Sequence, residues 1–138
     1  MSSLDRFLLA QESVYESVLQ ELAAGYKRTH WMWFVFPQFL GLGTSEMATT
    51  YAIRSVAEAA SYLQHPLLGN RLVECTRMVV AIDAQSAEQI FGVRDAYKFL
   101  SCMTLFANVS DANSVFAIAL KKYFPQQHCA FTLLKLRE

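Results

Sequence analysis

Glycine and proline are scarce in this 138-residue chain, at five and three residues, and strand punctuation is correspondingly thin. Net charge is missing altogether, because 12 basic and 12 acidic residues cancel. That argues against bulk electrostatic binding to nucleic acid or to anionic lipid, which needs a basic surplus. Long apolar runs are also lacking. The longest, Trp31 to Phe36 and Val115 to Leu120, have six residues each, whereas a membrane-spanning helix needs about 20. The three cysteines, Cys75, Cys102 and Cys129, are odd in number and lack CxxC spacing. No disulfide framework or zinc site follows from them. Their even spacing hides no repeat, since the segments after Cys75 and Cys102 share almost no residues.

What the chain has is apolar mass: 54 % of its residues are hydrophobic and only 17 % are charged. That composition excludes disorder, and the length suits one domain with a sizeable core. Met1 to Phe7 carries no basic stretch ahead of an apolar run, so no secretory signal is expected. Free thiols and no leader point to the cytoplasm.

Helix signals recur along the chain. Ser3 is placed to cap a helix over about Leu4 to Ala24, ended by Gly25 at the position where a left-handed residue closes a helix. The run Trp31 to Phe36 reads as two buried helical turns capped by Thr29 and stopped by Pro37, with a strand as the alternative. Gln38 to Thr44 is a loop, and Thr44 or Ser45 caps a short helix to Tyr51. Ser55 with Glu58, and Ser86 with Gln89, have the spacing of capping boxes. Pro66 opens a helix to about Ile82, whose stripe is Leu68, Leu72, Cys75 and Val79, and in which Gly69 is a mild weakness. A helix from Val93 to Ala107 follows. Ser110 or Asp111 then caps a helix to Phe124, and a last turn covers Thr132 to Leu136. The expected fold is a single all-α domain, residues 1–138, of about seven helices with short connections.

Two segments are distinctive: Lys27-Arg28-Thr29-His30-Trp31-Met32-Trp33-Phe34-Val35-Phe36-Pro37-Gln38 and Met103-Thr104-Leu105-Phe106. With Arg6-Phe7, Gly41-Leu42-Gly43, His65-Pro66-Leu67-Leu68-Gly69, and Asp95 with Lys98 and Ser101, they make the chain resemble the uncharacterised bacterial family of domain of unknown function 1810, over nearly its whole length. The resemblance implies an all-α fold and brings no activity with it. Cys102 stands where the family pattern leads one to expect a second serine, which weakens any role for a hydroxyl there.

Three constellations carry potential chemistry. Lys27, Arg28 and His30 beside Trp31 and Trp33 combine cations with stacking faces, a set suited to an anionic, planar ligand. The plainer reading is solvated charges before two core tryptophans, although buried indole N–H groups then need partners. The Gly41 to Ser45 loop precedes a helix but lacks the lysine of a phosphate-binding loop. Asp95, Lys98 and Ser101 share one helix face, as an ion pair or, less simply, as a Ser–Lys nucleophile. No GxSxG, His-x-x-x-His or carboxylate pair stands out, and no metal or cofactor is called for.

The favoured functional reading is a pocket for a small anionic ligand, nucleotide-like or acidic, drawing on Lys27, Arg28, His30, Trp31, Trp33, Gln38, Lys98 and Ser101. Arg28, His30 and Lys98 are expected to share one cleft. His30 is the candidate general acid or base. The alternative is a non-catalytic protein-interaction module with exposed aromatic surface, and a homo-oligomer is compatible with either. A third reading leaves the aromatic segment as core alone. Exposure of Trp31 and Trp33 discriminates: a half-buried indole beside cations favours a ligand, and a flat exposed patch favours a protein partner.

Overall fold

The structure, a computed structural model, describes residues 4–137; the expected cap Ser3 lies outside the described residues. Ten helices follow one another: α1 (Asp5–Glu12), α2 (Tyr15–Ala23), α3 (Met32–Val35), α4 (Glu46–Thr50), α5 (Val56–Gln64), α6 (Leu68–Val80), α7 (Ala87–Phe91), α8 (Val93–Asn108), α9 (Val115–Tyr123) and α10 (Ala130–Leu136). Among the described residues there is no strand beyond an isolated parallel bridge between Phe39 and Ile53. The all-α expectation holds, but the helices exceed the seven read from the sequence.

The difference arises mainly where long helices break or short ones form. The first expected helix is two. Its ladder tightens at Ser13–Val14, where the Val14 N–H donates to Gln11 O at 3.1 Å, a three-residue step. The break lets α1 pack on α3 while α2 packs on α6. Gly25, at φ +76°, then ends α2 in a Schellman closure: Tyr26 N–H donates to Glu21 O (3.1 Å) and Gly25 N–H to Leu22 O (3.0 Å).

Other boundaries shift for identifiable reasons. The aromatic run makes one helical turn, α3, not two, and Thr29 does not cap it. Pro66 precedes α6 by two residues; His65 Nδ1 accepts the Leu67 and Leu68 N–H groups at 3.1 and 3.2 Å and stands in for a cap. Ser114, not Ser110 or Asp111, caps α9. Ser86 and Gln89 form the reciprocal capping box. At Ser55 only half of one forms, because Glu58 accepts from the Arg54 N–H (3.0 Å) and from Arg6 (3.0 Å).

Helix α8 is the centre. Phe99 through Phe106 are all buried, so this stretch is enclosed on every side, with Ser101 and Thr104 its hydrogen-bonded polar members. Helices α5, α7, α9 and α10 pack around it. Phe99 meets Phe36 edge-on at 5.1 Å and stacks on Phe91 at 5.0 Å. Helix α9 also reaches back to the C-terminus of α6: Lys122 Nζ donates to Val80 O and Ile82 O (2.5 and 2.7 Å), and the Tyr123 hydroxyl to Val79 O (2.6 Å). The stripe Leu68, Leu72, Cys75 and Val79 is fully buried, as its spacing predicts. Gly69 is not a weakness but a close approach, since a Cβ there would lie 1.9 Å from Leu63 O.

Candidate functional site

The Lys27–Pro37 segment is organised by a residue its own composition does not mention. Glu21, on the last turn of α2, is buried and collects four donors. Its Oε1 accepts from the N–H groups of Arg28 (2.6 Å) and Thr29 (2.9 Å) and from Trp31 Nε1 (3.0 Å). Its Oε2 accepts from the Thr29 hydroxyl at 2.6 Å. Burial raises the Glu21 pKa, but the bonds from Thr29, Arg28 and Trp31 outweigh it and hold the carboxyl at about 2. Trp31, 1 % exposed, thereby gains the partner that a buried indole requires. Glu21 lies three residues after the buried Val18, on the face the apolar stripe defines; an acid at that register was the available signal.

With its backbone held by Glu21, the segment meets the start of α8. Lys27, His30, Trp33, Arg94, Asp95 and Lys98 line a cleft of about 420 Å³ there, floored by Phe91 and Gly92. Gly92, at φ +84°, joins α7 directly to α8, and no side chain caps the α8 N-terminus. The cleft therefore collects the partial positive charge of a 16-residue helix together with three side-chain cations and one imidazole. One carboxylate answers them. Asp95 Oδ2 lies 2.8 Å from Lys27 Nζ, and Oδ1 lies 3.3 Å from Lys98 Nζ. Lys27, with a side chain only 6 % exposed, also donates to Thr29 O at 2.6 Å. Lys98 Nζ sits 4.9 Å above the half-buried Trp33 ring, and Lys27 Nζ 5.2 Å from the Trp31 ring.

The structure thus brings together Lys27, His30, Trp33 and Lys98, residues some 70 positions apart in sequence. Arg28 is exposed and does not line the cleft; what reaches Glu21 is its backbone N–H, not its guanidinium. Trp31 is core. Ser101 is fully buried and bonds the Thr132 hydroxyl at 3.1 Å, so it forms no pair with Lys98, whose partner is Asp95. Gln38 is buried and, with Trp33, Phe36, Tyr51 and Lys98, bounds a small space that shares Trp33 and Lys98 with the cleft. Arg94, which sequence reasoning passed over, joins the lining because it is the second residue of α8. A larger hollow of about 550 Å³ lies between α6 and the α8–α9 turn. Its charges, Arg77 and Asp111, balance one another, whereas those of the smaller cleft do not; a hollow of about 420 Å³ beside Arg54 and Lys135 is also cationic, but it has no tryptophan wall.

All three thiols are free and buried. Among the described residues no group of His, Cys, Asp and Glu is arranged to hold a metal ion, and no helix is long and apolar enough to cross a membrane.

Fold and site together define an all-α domain with a cation-lined cleft at the head of its central helix. The chain belongs to the family described as protein of unknown function (DUF1810), whose model matches residues 1–136. It is also similar to the conserved hypothetical protein Rv1873 from Mycobacterium tuberculosis, known from a crystal structure. The two share 51 % sequence identity over 98 % of this chain and 96 % of that one, with a TM-score of 0.95. No curated protein matches the chain.

Proposed function

We propose that the protein binds a small anion in the cleft at the α8 N-terminus. The observation that carries this reading is the charge imbalance there: Lys27, Arg94 and Lys98 line the cleft with a single carboxylate, Asp95, which pairs with the two lysines, in front of an uncapped helix start. In a neutral molecule such a concentration steers anions and rewards their burial. Lysines act as point charges and suit phosphate or carboxylate alike, and Trp33 supplies a half-buried apolar wall. The interaction-module reading draws no support from Trp31, which is core, and little from Trp33, which is concave and flanked by cations.

Calorimetric titration with inorganic phosphate and with acetate at low ionic strength tests the proposal. Heat of binding and a raised melting point are expected for at least one, by mass action on the folded state. Lys98→Met or Arg94→Ala should weaken binding about tenfold or more, the worth of one charge-assisted hydrogen bond. Arg28→Ala should leave it unchanged. Loss of binding in Arg28→Ala with retention in Lys98→Met would place the anion elsewhere.

A further inference from the structure

We infer that the cleft's ligand is an anion carrying its own hydrogen-bond donor, a hydroxyl or amide N–H received by the side-chain oxygen of Gln38; the inference rests on the anion reading above. Among the polar side chains facing the cleft, Lys27, Trp33, Arg94 and Lys98 only donate, Asp95 is engaged by two lysines, and the exposed His30 has one ring nitrogen able to accept. Gln38 adds a buried acceptor that nothing among the described residues engages. Its residue is 9 % exposed, and Oε1 is buried with no hydrogen-bond partner among the described residues. A buried acceptor left unpaired is costly, and native structures seldom keep one without a use.

Position adds to this. The space that Gln38 faces is bounded by Trp33 and Lys98, and the same two side chains wall the cleft. That space is about 10 Å³, room for one donor atom and not for a ring. The ligand's bulk and charge therefore stay over the α8 N-terminus while a single hydroxyl or N–H reaches past Trp33. Gln38 is also fixed for the task. Its carbonyl accepts the Ile53 N–H at 2.9 Å, and the Leu40 N–H donates to Ile53 O at 2.9 Å, so the backbone is held on both sides of the Phe39–Ile53 bridge. A methionine would fill this place without an orphaned oxygen. The ligand class is thus a hydroxylated or amidated phosphate or carboxylate, not a bare anion.

The test uses two phosphate monoesters of equal chain length, glycerol 3-phosphate and propyl phosphate, with inorganic phosphate alongside. The intact protein should bind glycerol 3-phosphate about tenfold more tightly than propyl phosphate, the worth of one net hydrogen bond. Gln38→Met should bind the two equally, bind propyl phosphate as the parent does, and melt no lower than the parent. Equal affinity of the parent for both esters overturns the inference and leaves the anion reading standing. A preference that survives in Gln38→Met overturns it too, as does a Gln38→Met melting point lower by more than about 4 °C, which would mean the amide is satisfied inside the protein. Failure of all three phosphates to bind overturns this inference, and failure of acetate as well overturns the anion reading with it.

Discussion

Glu21 ties the end of α2 to the aromatic segment through four hydrogen bonds to one carboxylate, and its titration should govern the acid limb of stability. Its folded pKa, about 2, lies below the ordinary 4.5. A depressed carboxyl stabilises fully above the unfolded pKa, and that contribution drains away as pH falls from about 4.5 toward 2. Melting temperature measured against pH should decline across this window, and the decline should flatten in Glu21→Gln, which also loses about 1–3 kcal/mol at neutral pH. Gly69 gives the second prediction. Helix propensity alone says alanine should stabilise α6 by about 1 kcal/mol. The Leu63 carbonyl in the way of a Cβ reverses the sign, and Gly69→Ala should cost about 2 kcal/mol or more in denaturant melts. Neither residue announced its role. Composition marks an acid or a glycine, but what each faces is set by segments that only the fold brings near. The cleft was partly legible for the same reason: Lys27, His30, Trp33, Asp95 and Lys98 stood out in the sequence, while Arg94 acquired its place from the α7–α8 junction.

At the scale of elements, caps were the most reliable text. Ser45, Ser55, Ser86 and Ser114 each accept an N–H of the first turn at 3.0–3.2 Å. Ser55 and Ser86 were nominated from spacing, and Ser45 as one of two candidates with Thr44, because a cap is a local hydrogen bond needing no tertiary partner. Helix breaks were not legible, since the Ser13–Val14 interruption answers to where α3 and α6 lie. The core of α8 is the element on which the rest depends. Phe99→Ala removes the ring that joins Phe36, Phe91 and Phe124, and should cost about 3–5 kcal/mol by equilibrium unfolding. Ser114→Ala should cost about 1 kcal/mol in the same measurement.

For the molecule as a whole, burial of all three thiols predicts slow modification by a thiol reagent in native buffer and complete modification in denaturant. Their order should differ. Burial pushes Cys75 up to about 12 and Cys102 well above the ordinary value. Burial acts on Cys129 too, but bonds from Thr132 and Tyr97 more than reverse it, so Cys129 should react first. The wrapping of α8 has a consequence in time. Its neighbours follow α4 in the chain, and the seven-residue α10, packed mainly on α8, lies against it. Amide protons in α10 should exchange with solvent deuterium through local detachment, which also uncovers Cys129. Those of Phe99 to Phe106 have no such route and should exchange only when every surrounding helix has let go. The slowest amides in the protein would then report its global unfolding free energy, and the cation-lined head of α8 would stay in register through all the smaller openings.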